Sequence, residues 1–188
     1  MQAVAKEETR KENDGASAST LDFAELFRQY YPQIYNYLRY RVNRLEDAED
    51  LISVVFEKAY SNRERFDTTK GAFSTWLFQI AHNTLANYYR TRQRRSKWEA
   101  ESELSGELVT SELSPEAQVI RQENVSQLLD GLGKLNERDQ EIISLKFAGH
   151  LSNREIGQIM DLKEKTVSVV LLRAMRRLQK EVKEESTS

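Results

Sequence analysis

LSNREIGQIM, residues 151–160, and DLKEKTVSVVLLRAMRRLQKE, residues 161–181, form the clearest structural pattern in this 188-residue chain. Ser152 and Glu155 match the S-x-x-E capping box that begins a helix. The apolar positions of that helix are Ile156, Ile159 and Met160. A turn at residues 161–163 follows, and a longer helix is predicted from about Glu164 to Glu181. A capped short helix, a tight turn and a second helix predict a helix-turn-helix, with a plain αα-hairpin as the alternative.

The second helix of this motif would place one face in the major groove of DNA. Residues 166–173 read TVSVVLLR, so Thr166, Ser168 and Arg173 are the polar groups it offers. Valine and leucine pack on thymine methyls but make no bidentate contacts with base edges. Two interpretations therefore stay open: the helix reads DNA, or its apolar residues meet a protein. The candidates for phosphate contacts are Lys163, Lys165, Arg173, Arg176 and Arg177.

The residues before the motif continue the helical pattern. Residues 119–135 place apolar side chains on one helical face. Asn136 is a suitable N-cap for a further helix, which Gly149 would end. The predicted buried positions of that helix are Ile142, Ile143, Leu145 and Phe147. We therefore expect a second helical domain over residues 116–181.

Three more amphipathic helices are predicted near the N-terminus. Apolar residues from Phe23 to Leu38 recur at three- and four-residue steps, and Pro32 is expected to kink or split this helix. Residues 46–60 form a second helix, whose acidic first turn suits the helix dipole. Residues 66–71 are a polar loop. A third helix follows and ends in the aromatic and basic run at residues 88–97.

Composition excludes several classes of protein. Seven glycines and two prolines make up about 5% of the chain against an average near 12%, which disfavours sandwiches and barrels. The chain has no cysteine, which excludes a disulfide scaffold and a thiolate metal site. Residues 1–20 are predicted to be a disordered leader without a signal peptide, and no apolar run reaches the ~18 residues of a membrane span. We expect a soluble, cytoplasmic protein with no membrane partner.

The sequence contains no recognisable catalytic pattern. Phosphate-binding loops, H-E-x-x-H, G-x-S-x-G and EF-hand loops do not occur in it. His82 and His150 fall in different predicted domains, and each is predicted to be a surface or helix-end residue. The prediction is therefore a protein that is not an enzyme, with no catalytic residue, no metal site and no cofactor.

The net charge of −2 hides a separation of charge along the chain. Residues 82–97 contain five basic residues and no acidic one, whereas residues 98–120 contain six glutamates and no lysine or arginine. Aromatic residues lie near these cations, a combination typical of nucleic-acid binding; a solvated helix end is the alternative. The acidic, serine-rich stretch at residues 98–115 is typical of a linker.

Three segments together resemble the extracytoplasmic-function (ECF) group of bacterial sigma factors. Residues 47–59, DAEDLISVVFEKA, resemble the segment that grips the clamp helices of RNA polymerase. Residues 71–83, GAFSTWLFQIAHN, resemble the segment that melts the promoter and reads its −10 element. Residues 151–160, together with Thr166-Val167 and Arg173-Ala174, resemble the helix-turn-helix that reads the −35 element. The resemblance covers residues 21–181.

The resemblance implies an all-α protein of two small helical domains. The first, residues 21–97, would bind polymerase and read the −10 element; the second, residues 116–181, would read the −35 element, and residues 182–188 form a tail. The residues that would face polymerase are Asp47, Asp50, Leu51, Val54 and Phe56. Those for −10 recognition and melting are Phe66, Lys70, Trp76, Asn83, Asn87, Tyr88, Arg90, Arg92, Arg94 and Arg95. Those for the −35 element are Arg154, Lys163, Lys165, Thr166, Ser168, Arg173, Arg176 and Arg177.

The implied partners are core RNA polymerase and promoter DNA, with an anti-sigma factor as a further candidate. The loop at residues 66–71 would accept a base flipped out of the duplex. The sequence departs from the family at Ser168 and Val170, where basic residues are usual. Two other interpretations remain at this point: a helix-turn-helix regulator that works without polymerase, and a sigma-like module that binds another protein.

Overall fold

The structure of the protein, a computed structural model, describes residues 23–42, 44–96, 125 and 127–185. All regular secondary structure in these ranges is helical, which confirms the all-α prediction. The leader expected at residues 1–20 and the linker expected at residues 98–115 lie outside the described residues.

The first domain consists of three long helices packed on one another. They are α1 (Phe23–Arg39), α2 (Leu45–Ser61) and α3 (Phe73–Ser96), and a short 3-10 turn at Arg63–Arg65 follows α2. Each of the three helices contacts the other two. Ile34, Val55 and Leu77 are fully buried between them, because each lies on the apolar stripe that its helix turns inward.

Helix α1 runs without interruption through Pro32. The prediction was a kink or a split at Pro32; the split is therefore wrong, and the kink stays a prediction. A proline inside a helix removes one backbone hydrogen bond, so the local sequence alone predicts a break in the helix at that residue. Here the helix is held on both sides of the proline, since Tyr30 and Ile34 are only 5% and 0% exposed.

The second domain begins, in the described residues, with a helical segment at residues 127–133. It continues with α4 (Glu137–Phe147), α5 (Asn153–Met160) and α6 (Glu164–Glu185). Asn136 caps α4, as predicted, by accepting a hydrogen bond from the backbone nitrogen of Asp139 at 3.0 Å. Ser152 and Glu155 form both halves of the predicted capping box of α5.

A tight turn joins α5 to α6 and completes the helix-turn-helix. Asp161 ends α5 in the left-handed conformation, with φ of 53°. A Cβ atom at Gly157 would lie 2.5 Å from the carbonyl oxygen of Leu162, inside van der Waals contact. The glycine is therefore required by the backbone of the turn, which approaches α5 more closely than any side chain would allow.

The two domains are in direct contact. Helix α3 packs against α5, and α4 approaches α1 and α3. A Cβ atom at Gly149 would lie 2.6 Å from the carbonyl oxygen of Leu145 and 2.9 Å from the ring of Phe78, so glycine is required both by the end of α4 and by the packing of the second domain on the first. Helix α4 itself ends at Phe147, two residues before the glycine expected to end it.

Candidate polymerase and nucleic-acid interfaces

The acidic first turn of α2 is tied to α3. Glu46 and Asp47 stand at the helix N-terminus, where the helix dipole favours negative charge. Asp47 Oδ2 accepts a hydrogen bond from the hydroxyl of Tyr88 at 2.7 Å. Burial and this acceptor raise the pKa of Tyr88 to about 12, so the phenol stays protonated and keeps donating.

The residues predicted to face polymerase divide into two groups. Asp50 and Val54 are exposed on the outer surface of α2. Leu51 and Phe56 are 7% and 6% exposed, because α2 turns its apolar stripe toward α1 and α3. The prediction that these two side chains meet a partner directly does not fit this structure, in which they pack inside the domain.

Helix α3 carries an exposed stripe of polar and aromatic residues. The stripe consists of Trp76, Asn83, Asn87, Arg90 and Arg94. Their spacing of seven, four, three and four residues places them on one helical face. Trp76 is partly buried and the other four are exposed. Arg90 Nη1 donates to Asn87 Oδ1 at 3.2 Å, so neighbouring members of the stripe also contact each other.

The loop between α2 and α3 leads to the N-terminal end of this stripe. The ring of Phe66 lies 5.4 Å from that of Trp76 and 5.3 Å from that of Phe73. Asp67 Oδ1 accepts hydrogen bonds from the backbone nitrogen of Thr69 at 3.0 Å and from its hydroxyl at 2.6 Å, which hold the pKa of Asp67 below its usual value. The loop is thus shaped by its own side chains before any ligand arrives.

The other predicted α3 residues lie off the stripe. Tyr88 is bonded to Asp47, as described above, and Arg92 Nη1 donates to the Tyr88 hydroxyl at 2.9 Å. Lys70 is exposed in the preceding loop, with Nζ 3.4 Å from Asp67 Oδ2. Arg95 belongs to the last turn of α3.

The helix-turn-helix exposes most of its predicted DNA-binding residues. Those exposed are Arg154, Lys163, Lys165, Ser168, Arg173, Arg176 and Arg177, while Thr166 is partly buried. Two of them are already engaged. Ser168 accepts from Asn153 Nδ2 at 2.9 Å, and the guanidinium of Arg177 forms an ion pair with the buried Asp139. Val169 and Leu172 are 48% and 55% exposed, whereas Val170 is half-buried.

One cluster between the domains was not predicted from the sequence. Glu141 on α4 is almost fully buried and meets three side chains of the first domain, Tyr37, Arg41 and His82. His82, expected at a surface or helix end, is half-buried against this carboxylate. The only signal available in the sequence was the position of Glu141 one turn before Leu145, on the buried face of α4.

The described residues contain no helix long and apolar enough to cross a membrane. Within the same ranges, no group of three or more histidine, aspartate or glutamate side chains is arranged to hold a metal ion.

Comparison with known proteins identifies both domains. Residues 26–95 match the model of Sigma-70 region 2, and residues 126–178 match that of Sigma-70, region 4. The fold and these two matches define a transcription initiation factor of the sigma-70 class.

The curated relatives narrow the class. The chain is 34% identical over 156 residues to the RNA polymerase sigma factor YlaC of Bacillus subtilis, covering 83% of this chain and 89% of YlaC. It is 32% identical to the ECF RNA polymerase sigma factor BldN of Streptomyces coelicolor, covering 83% of this chain and 58% of BldN. The chain belongs to the ECF RNA polymerase sigma factors and directs RNA polymerase to promoters. Proteins of this family are generally non-catalytic regulators of transcription.

A solved structure shares the fold. The sigma factor RpoE of Bartonella quintana, in complex with the anti-sigma factor NepR, superposes with a TM-score of 0.70 at 22% sequence identity. The match covers 86% of this chain and 97% of that one.

Proposed function

We propose that the first domain binds core RNA polymerase through the outer face of α2, with Asp50 and Val54 in the contact. The support is their exposure together with the acidic first turn at Glu46 and Asp47. Leu51 and Phe56 contribute indirectly, by holding α2 on α1 and α3. An acidic rim around an apolar contact suits a basic partner surface, since rim charges steer association and set its register.

The second part of the proposal is that the exposed stripe on α3 recognises and melts the −10 element. Asn83 and Asn87 offer both donors and acceptors to base edges, and Arg90 and Arg94 offer charge to the backbone. Trp76 and Phe66 provide aromatic faces beside the loop. A flipped base loses a few kcal/mol of stacking, which stacking on such rings offsets. The juxtaposition of this stripe and loop is the observation that carries the proposed function.

The second domain reads the −35 element with α6 in the major groove. Arg173 and Arg176 are exposed and supply phosphate contacts, as do Lys163 and Lys165 in and after the turn. Arg177 contributes less, because it is held by Asp139. Direct base contacts come from Thr166 and Arg173, with an apolar contact to a thymine methyl from the exposed Val169.

The chain performs no reaction of its own and acts in the cytoplasm together with the polymerase. Its partners are core RNA polymerase, promoter DNA and an anti-sigma factor. The last is supported by the shared fold with RpoE of Bartonella quintana, whose structure includes the anti-sigma factor NepR. The exposed Val169 and Leu172 on α6 offer an apolar surface for such a protein.

Run-off transcription tests the proposal. Purified chain and core polymerase are mixed with a panel of promoters, and the salt dependence of open-complex formation is measured. Arg90→Gln with Arg94→Gln is expected to reduce the slope of log affinity against log salt by up to about 1.8, because each lost phosphate contact removes about 0.9.

Arg28→Gln is the matched control, since Arg28 is exposed on α1 and lies outside the proposed DNA surface. This variant is expected to keep the wild-type transcripts. Failure of the wild-type chain to bind core polymerase would overturn the proposal. An unchanged salt slope in the Arg90→Gln, Arg94→Gln double variant would show that the α3 stripe is not part of the DNA-binding surface.

A further inference from the structure

Helix α6 carries a stripe of exposed side chains whose composition differs from that of the stripe on α3. The α6 stripe consists of Lys165, Val169, Leu172 and Arg176. Their spacing of four, three and four residues places them on one helical face. Val169 and Leu172 are 48% and 55% exposed. The α6 stripe is therefore an apolar pair with a cation at either end.

The opposite face of α6 explains why this pair stays at the surface. Val167 and Ala174 are fully buried where α6 packs on α4 and α5, and Leu178 is 6% exposed. A helix turns one apolar stripe toward the core, so burial of these residues fixes the rotation of α6 about its axis. Val169 and Leu172 therefore remain exposed and are available to a partner.

Ser168, the polar residue next to the pair, is already engaged within the helix-turn-helix. Its hydroxyl accepts a hydrogen bond from Asn153 Nδ2 at 2.9 Å and donates one to the backbone carbonyl of Glu164 at 3.2 Å. A serine hydroxyl has a single hydrogen, so Ser168 has none left to donate to a base. Ser168 instead connects α6 to the first turn of α5. Discrimination between base pairs at this part of α6 therefore depends on the apolar pair and not on Ser168.

The cations around the pair favour DNA over a protein as its partner. Lys165, Arg173 and Arg176 are exposed, and none of them makes a hydrogen bond or ion pair with the described residues. Lys165 and Arg176 are about 16 Å apart along the helix axis, at about 1.5 Å per residue. The major groove is about 12 Å wide, so these two side chains can contact phosphates on its opposite sides while the pair faces the bases.

An apolar pair that faces the bases in the major groove can recognise thymine. Thymine presents a C5-methyl group there, and apolar side chains pack on it without a hydrogen bond. Val169 and Leu172 are about 4.5 Å apart along the helix axis, and successive base pairs are about 3.4 Å apart. The two side chains therefore match methyl groups on neighbouring base pairs. Neither can make the bidentate contact by which arginine selects guanine.

We propose that Val169 and Leu172 determine the specificity of α6 by contacting thymine methyl groups on two neighbouring base pairs, so that the −35 element of this sigma factor contains two adjacent A·T pairs. This specificity rests on the proposed function, since it requires α6 to lie in the major groove. It defines the class of promoter sequence that the second domain selects.

Selection from random DNA identifies the element before its methyl groups are tested. The full-length chain, assembled with core polymerase, selects duplexes from a randomised library, and the enriched upstream sequence is taken as the −35 element. Each thymine of that element is then replaced by uracil, which has the same hydrogen-bonding groups and lacks only the methyl. Competition binding of the polymerase complex gives the ratio of affinities for the thymine and uracil DNAs.

The methyl groups at two neighbouring base pairs are expected to raise the affinity about fourfold each, the usual effect of burying one group of this size. Val169→Ala is expected to abolish the thymine preference at one of these positions and Leu172→Ala at the other. Both side chains are exposed, so neither substitution opens a cavity in the core. Because each ratio compares two DNAs on one protein, it does not depend on how much of a variant is folded.

Leu128→Ala is the matched control, an exposed leucine of the second domain that lies outside α6. This variant is expected to keep the wild-type thymine-to-uracil ratios. A selected element in which uracil replaces every thymine without effect would overturn the proposal and leave the proposed function standing. A thymine preference that persists in both α6 variants would do the same. Failure of the polymerase complex to enrich any upstream element would instead overturn the proposed reading of a −35 element by the second domain.

Discussion

Tyr88 shows how one side chain connects two helices of the first domain. Its hydroxyl donates to Asp47 on α2 and accepts from Arg92 on α3. The same residue was predicted from the sequence to contact DNA, because it precedes a basic run. Periodicity alone could not show that its hydroxyl turns toward α2, since that depends on residues 41 positions apart. In the acidic first turn of α2, Asp47 thus contributes to packing within the domain, while Glu46 is exposed at its surface.

Replacing Tyr88 with phenylalanine is expected to lower the free energy of unfolding by about 0.5–1.5 kcal/mol, the usual contribution of such a hydrogen bond. Urea denaturation measures the change. Tyr60→Phe is the control, since Tyr60 is 51% exposed. Equal stability of the two variants would show that the Asp47 contact contributes nothing.

The raised pKa of Tyr88 also predicts how the stability of the protein depends on pH. The folded value of about 12 exceeds the ordinary value of 10.0, so folding holds this proton more tightly. The resulting stability is fully present below pH 10 and is lost as the pH rises from 10 towards 12. Absorbance titration of Tyr88→Phe should therefore lose one late-titrating tyrosine.

Helix boundaries were the most predictable feature at the scale of single elements. The capping box at Ser152, the cap at Asn136 and the periodicity of residues 46–60 are local signals, and the structure confirms these helices. The split expected at Pro32 does not occur, because the local preference of proline for a helix break is outweighed by buried neighbours. Local patterns therefore predicted where helices occur better than they predicted which residues those helices accommodate.

The turn of the helix-turn-helix depends on Gly157. Gly157→Ala is expected to destabilise the second domain by about 1–3 kcal/mol, because the new Cβ would meet a backbone oxygen that no rotamer change can move. Thermal denaturation measures the loss.

Gly133→Ala is the matched control for this substitution. A Cβ atom at Gly133 would have nothing within 4 Å, so we expect the variant to be neutral or stabilised by up to about 1 kcal/mol. Equal melting temperatures for the two variants would contradict the steric account of the turn.

The relation between the domains, at the scale of the whole molecule, was beyond prediction from the sequence. Two helical domains were predictable from local motifs, but Tyr37 and Glu141 are 104 positions apart. Nothing in the local pattern of α1 or α4 pairs these two residues, since a lone glutamate on an apolar face has many partners available. The same holds for Phe78 and Gly149, whose fit depends on the backbone of both domains.

Formation of the promoter complex is expected to separate the domains. With a fluorescent donor and acceptor on the exposed Glu57→Cys and Gln179→Cys, adding core polymerase and promoter DNA should lengthen the distance between the labels by tens of Å. The two promoter elements are about 25 base pairs apart, which is about 85 Å at about 3.4 Å per base pair. Polymerase with DNA that lacks both elements serves as the control. A transcriptionally active complex that keeps the short distance would contradict the expected separation of the domains.

The covalent connection between the domains sets how strong the contact around Glu141 has to be to hold them together. Two domains joined by residues 97–124 meet at an effective concentration on the order of 1 mM. An interface with a dissociation constant of only about 0.1 mM between separate domains would then hold about nine chains in ten closed. Opening such a chain costs about 1.4 kcal/mol, a small part of the binding free energy of a polymerase complex. The contact of Glu141 with Tyr37, Arg41 and His82 can thus hold most free chains in the docked arrangement at a small cost to opening.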